Sequence, residues 1–167
     1  MDALTQSALE TLVGCTEAQL AALRRLAFKF EVQQMMLSGG RSAWLNETLG
    51  EMEAAIAAVN QADASFRHAL REGALALGAS PESTLRELAA EAPEPWGYIF
   101  EQGRDDLVAA VAEVGRLCAD NRKLLARGFL ATGAALSLLG VDVPTAYDAS
   151  GSPQTAQGSV NLLNARA

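Results

Sequence analysis

The segment LNETLGEMEAAIAAVNQADASFRHALREGALAL, residues 45–77, places apolar or small side chains at Leu45, Leu49, Met52, Ile56, Val59, Phe66, Leu70, Gly73 and Leu77, with Asp63 interrupting the series. The steps alternate between four and three residues, the period of a helix that buries one stripe against a neighbour. At ~1.5 Å per residue such a helix is ~50 Å long, too long for a compact globule unless a second long helix lies alongside it. Asp63 either pairs with a cation or marks a solvated gap in the stripe.

Upstream, the same alternation runs through Leu9, Val13, Thr16, Leu20, Leu23, Ala27 and Phe30 and predicts one amphipathic helix reaching about Leu37. Ser38-Gly39-Gly40 then supplies residues that tolerate a left-handed turn, and so short a connection makes the first helix the antiparallel neighbour of the second. Downstream, Ser80-Pro81-Glu82 reads as a helix start, with Ser80 as cap acceptor and Pro81 at the first helical position. That short helix carries Leu85 and Leu88 and stops before Pro93 and Pro95, leaving a Trp96-Gly97-Tyr98 corner.

A last long helix is expected from the Phe100–Asp105 region to Leu139, with the seam Leu107, Val111, Val114, Cys118, Asn121, Leu125, Gly128, Thr132, Ala135 and Leu139. A neighbouring set, Leu117, Leu124, Ala131 and Leu138, widens the stripe enough to serve two neighbours, one inside the molecule and one outside it. Beyond Gly140 the composition turns to Pro, Gly, Ser, Thr and Gln, which cannot bury enough apolar surface to fold alone. Val160-Asn161-Leu162-Leu163 is an apolar island within that tail. The expected fold is therefore all-α: an antiparallel bundle of three long helices plus one short helix over residues 1–140, with an extended, flexible polar C-terminal tail over 141–167.

Composition agrees, since half of the 167 residues are apolar but only 5% are aromatic, as in helices packed closely through alanine and leucine. A net charge of -7 argues against nucleic acid as a partner, because phosphate neutralisation needs a basic face. Two cation groups, Arg24-Arg25-Lys29 and Arg116-Arg122-Lys123-Arg127, read as solvated helix faces. Cys15 and Cys118 stand far apart and form neither a disulfide framework nor a zinc motif, which fits a reducing cytosol. No cation precedes Arg24, so a signal-peptide n-region is missing, and the longest apolar run, Phe129–Val141, is too short for membrane insertion. The chain reads as cytoplasmic.

Enzyme chemistry finds no support. The one histidine, His68, has Glu72 four residues on and reads as half of a surface pair; neither a Glu-x-x-His repeat nor a nucleophile elbow nor a phosphate loop is present. No catalytic residue, metal site or cofactor is expected. Tyr147, past Pro144, either folds its ring back on the bundle or serves as an exposed aromatic anchor for a partner.

Asn121-Arg122-Lys123-Leu124-Leu125 on a helix, followed past Gly140 by Pro144, Tyr147, Ala149 and Gly151, resembles the C-terminal part of the FlgN family of flagellar type III export chaperones. The layout of the whole chain is similar to that family. The resemblance implies a chaperone that holds the C-terminal helices of the hook-filament junction proteins FlgK and FlgL, keeps them from premature assembly and delivers them to the export gate protein FlhA. An apolar groove can cover such a helix. It would lie here on the last helix, at Leu117, Asn121, Leu124, Leu125, Phe129 and Leu138, with gate docking at Tyr147. The competing reading is a coiled-coil structural adaptor that homodimerises through the same seam and has no client. A permanent coiled coil would prefer firm Leu or Ile where this helix has Gly128, Thr132 and Gly133.

Overall fold

The computed structural model describes residues 2–40 and 44–139, together with the backbone of 146–147 and 153–154. Four helices follow one another: α1 (Ala3–Ser38), α2 (Leu45–Ala76), α3 (Leu85–Glu91) and α4 (Trp96–Leu138). Two short extended pieces, β1 (Ala146–Tyr147) and β2 (Pro153–Gln154), pair antiparallel with Ala146 opposite Gln154. The class is all-α, as the stripes imply. The chain divides into two compact units, residues 1–121 and 122–167, and the break falls inside α4 rather than at residue 140.

Local chemistry sets the helix ends. Asp2 caps α1 by accepting a 2.7 Å hydrogen bond from the Thr5 N–H. Gly39 follows the last turn, and Gly40 takes the positive φ of 66° that lets the chain reverse. At the end of α2, the Ala79 N–H reaches back 2.9 Å to the Ala74 carbonyl across Gly78, whose φ is 75°, so left-handed glycine closes the helix. Ser80 does not cap α3. It organises a turn instead, accepting the Glu82 N–H at 3.3 Å and the Ser83 N–H at 2.9 Å. The helix starts four residues later because Thr84 and Glu87 form a reciprocal capping box, which satisfies two orphan N–H groups at once.

Trp96-Gly97-Tyr98 is not a corner but the first turn of α4, following directly on Pro95. Proline ends one helix and can equally lead into the next, since its fixed φ suits a first turn.

The interior of the first unit corrects the expected seams by one position at alternate steps. On α1 the buried residues are Leu9, Leu12, Thr16, Gln19, Leu23, Leu26, Phe30 and Gln33, so Leu12, Gln19 and Leu26 replace Val13, Leu20 and Ala27, and Gln33 extends the series past Phe30. On α2, Thr48, Met52, Ala55, Ala69, Gly73 and Ala74 point inward while Leu49 and Ile56 stand 47% and 42% exposed. On α4, Phe100, Leu117 and Asn121 are buried and Val111 is exposed. On α2 the inner line takes the smaller residues, Thr48 over Leu49 and Ala55 over Ile56, because close helix approach leaves room for little more than a methyl group; on α1 it takes Leu12 and Leu26 over Val13 and Ala27. At Gly73 a Cβ would already stand 3.2 Å from the Leu12 side chain.

Two clusters form this core. One gathers Leu9, Leu12, Ala69, Ala74, Leu85, Leu88 and Phe100, with the Trp96 and Phe100 rings tilted 6.1 Å apart. The other gathers Leu26, Phe30, Met52, Ala55 and Leu117. Each fully buried Leu or Phe contributes about 1.5–3 kcal/mol relative to exposure. The pairings show that α1 and α2 run antiparallel, since Thr5 meets Ala76 and Lys29 meets Glu51. Within this unit α4 runs parallel to α1: Thr16 lies against Gly103, and Phe30 and Gln33 lie against Asn121.

Candidate functional site

Helix α4 supplies the side chains expected to bind a client, and burial separates them into two groups. Leu117 is 1% exposed and packs with Leu26, Phe30 and Met52. Asn121 is 2% exposed, and its Nδ2 donates to the Phe30 carbonyl at 2.8 Å and to Gln33 Oε1 at 2.9 Å. Neither can touch a partner while the bundle is intact. Both belong to the interior because the 3-4 alternation of α4 turns them toward α1.

Gln33 and Asn121, both buried and joined to each other, make a polar layer in an interior that also buries Thr16, Gln19 and Thr48. A buried amide at a seam position disfavours slipped registers, in which its hydrogen bonds would be lost. Asn121 Oδ1 has no partner among the described residues, and neither has Gln19 Oε1. The layer therefore costs stability that an apolar layer would keep.

The second unit presents the other group. Leu124 is half-buried, Leu125 is 44% exposed and Phe129 59%, and Leu130, Leu138 and Leu139 are still more exposed. Leu124, Leu125, Phe129 and Leu138 are thus the accessible members of the expected set, spread around the helix, and the seam residue Leu139 and the unexpected Leu130 are exposed beside them. Leu130 sits outside every seven-residue line used to read the helix, so periodicity gave no reason to single it out. Gly128 and Gly133 lie on the same stretch, and a Cβ at either would meet nothing within 4 Å. Small residues here are not required by close packing.

Tyr147 lies in β1, where only the backbone is described; Pro144, Ala149, Gly151 and the island Val160–Leu163 lie outside the described residues.

Several charged residues form surface pairs. Lys29 Nζ is 2.7 Å from Glu51, Arg116 holds Glu113 at 2.6 Å and Asp120 at 3.3 Å, and Arg67 pairs with Asp63, which answers the interruption in the α2 stripe. The Arg116 hydrogen bonds hold the Glu113 carboxyl below its ordinary pKa. His68 and Glu72 are exposed and make no ion pair among the described residues. No group of three or more metal-ligating side chains occurs among the described residues, and no described helix is long and apolar enough to cross a membrane.

The described structure is thus a helical bundle whose last helix ends in a run of uncovered leucine and phenylalanine side chains. The family model for FlgN proteins matches residues 1–155, and the chain belongs to the FlgN family, a family of flagellar chaperones. Comparison with curated proteins and with solved structures returned no match.

Proposed function

We propose that this chain is a cytoplasmic flagellar type III export chaperone that binds the C-terminal helices of FlgK and FlgL, prevents their premature assembly and delivers them to FlhA. One observation carries the reading beyond family membership: the exposed apolar side chains Leu125, Phe129, Leu130 and Leu138 along the second half of α4. Exposed apolar side chains such as Leu4, Phe28, Met35 and Leu49 also occur on α1 and α2, but Leu125, Phe129, Leu130, Leu138 and Leu139 fall close together in sequence, and grouped exposed apolar side chains mark an interaction surface. Terminal helices of assembly proteins are amphipathic, and such a helix lays its apolar face into a complementary one. Leu124, Leu125, Phe129 and Leu138 make the client contact in this reading, and Tyr147 serves gate docking. Leu117 and Asn121 support the helix from within.

Calorimetric titration with the C-terminal segments of FlgK and FlgL tests it. A saturable complex near one to one is expected, lost in a Leu125→Asp/Phe129→Asp variant whose melting curve is unchanged. Tyr147→Ala should keep client binding and lose capture by FlhA. Absence of binding by either segment, with every component soluble and this chain dimeric in sedimentation, would replace the chaperone by the homodimeric adaptor.

A further inference from the structure

The parallel pair α1 and α4 leaves a furrow on its outer side within residues 1–121. A cavity of about 180 Å³ lies between Val13, Leu20, Ile99, Phe100 and Gly103, with Glu17 and Asp106 at its rim. It continues past Asp106 along Leu23, Ala27, Ala109 and Ala110 to Glu113. The furrow exists because α4 offers Gly103, Ala109 and Ala110 there, side chains too small to fill the space beside α1. At Gly103 the two helices approach so closely that a Cβ would stand 3.0 Å from Thr16 Cγ2, which fixes the floor.

Its charge is one-sided. Glu17, Asp106 and Glu113 border this face, and Glu31 lies close enough to act on Arg116. Arg24 and Arg116 are the cations set against them. Arg116 is already committed to Glu113 and Asp120, and Arg24 reaches Asp106 only at 4.0 Å. Glu17 has no ion pair among the described residues. An apolar floor with an acidic rim selects its occupant by both chemistries at once.

We propose that this furrow is a second docking site, separate from the exposed end of α4, and that its occupant is an amphipathic helix of a partner protein whose apolar face is flanked by lysine or arginine. Its side chains of Leu or Ile size enter between Leu20 and Ile99, and its cations meet Glu17 and Asp106. The site does not depend on the identity of the export client.

The test uses the full chain and two synthetic helical peptides with the same leucine face, one flanked by lysines and the other by glutamates, in calorimetric titrations at low and physiological salt. The lysine-flanked peptide should bind saturably, and raising the salt should weaken it. Reversal of the rim in Glu17→Lys/Asp106→Lys should weaken binding by about tenfold or more. The matched reversal Glu47→Lys/Glu53→Lys on α2, which alters net charge equally, should leave it within about twofold, since rim charges act locally at physiological salt. Ala109→Lys, an exposed single change at the furrow wall, gives the same reading should the double reversal unfold. Equal weakening by the two reversals, equal binding of the glutamate-flanked peptide, or no binding of the lysine-flanked one would each overturn the proposal.

Discussion

The two halves of α4 both carry apolar side chains, and these have opposite fates. Residues 96–121 carry Phe100, Leu117 and Asn121, all at most 2% exposed, whereas no described side chain from 122 to 138 is buried and Phe129 and Leu138 stand 59% and 89% exposed. Each half carries four alanines with glycine interspersed, but the first has two leucines and the second five. The difference teaches that an apolar stripe reports a need for a partner without saying whether the partner is in the same chain. In the first half the partners are α1 and α2. For the second half, the proposed client supplies them.

A matched pair of substitutions breaks this comparison if it is wrong. Leu117→Asp should cost about 4 kcal/mol or more in denaturant unfolding, because it puts a carboxylate without a partner into the Leu26–Phe30–Met52 cluster. Gly97→Ala comes next, at about 2 kcal/mol, since its Cβ would stand 2.8 Å from the Ala89 carbonyl oxygen and backbone must move. Smaller again is the capping box: the Thr84 N–H and hydroxyl hold the Glu87 carboxyl below the ordinary 4.5. A depressed pKa contributes stability that is fully present above pH 4.5 and lost as pH falls through the folded-state value. The stability gap between the wild type and Glu87→Gln should therefore be constant near neutrality and shrink in acid, read by melts across a pH series. At the end of the scale, Phe129→Asp should change stability by no more than about 0.5 kcal/mol. A loss comparable to that of Leu117→Asp would show that Phe129 is a core residue and erase the contrast between the halves.

Helix number, order and class were legible because two glycine turns and a proline-rich break separate three long 3-4 patterns. The facing of each helix was legible only at alternate steps. Leu9, Thr16, Leu23 and Phe30 lie inside as the pattern implies, as do Met52 and Gly73, but at the steps between them the interior takes the adjacent residue: Leu12 for Val13 and Leu26 for Ala27 on α1, Thr48 for Leu49 and Ala55 for Ile56 on α2. Bulk is a poor guide where helices nearly touch: Ala55 and Ala69 took the interior and Ile56 the flank. Gln19 and Gln33 were missed because a polar residue inside a seam reads as a surface position, and only three-dimensional placement reveals that Gln33 meets Asn121. The family motif falls where α4 passes from buried to exposed: Asn121, a seam position, lies inside, whereas Leu125, the next seam position, stands 44% exposed. The motif spans the boundary between interior and surface, so its residues cannot share one role.

The parallel course of α1 and α4 also bears on how the chain reaches this state. Helices α1 and α2 can zip from the tight turn at Gly39-Gly40, where each new contact closes a slightly longer loop than the last. Helix α4 has no such nucleus against α1, because Asn121 must find Phe30 across 91 residues and Gln33 across 88. Closing a loop of that length costs entropy before any contact repays it. The α1–α2 hairpin is thus the early structure and α4 the late arrival. In stopped-flow experiments, mild substitutions at Leu117 should accelerate unfolding and leave the folding rate nearly unchanged. A helix that docks last is also the first to let go, so the element that carries the proposed client surface is the one the bundle holds with the least kinetic commitment.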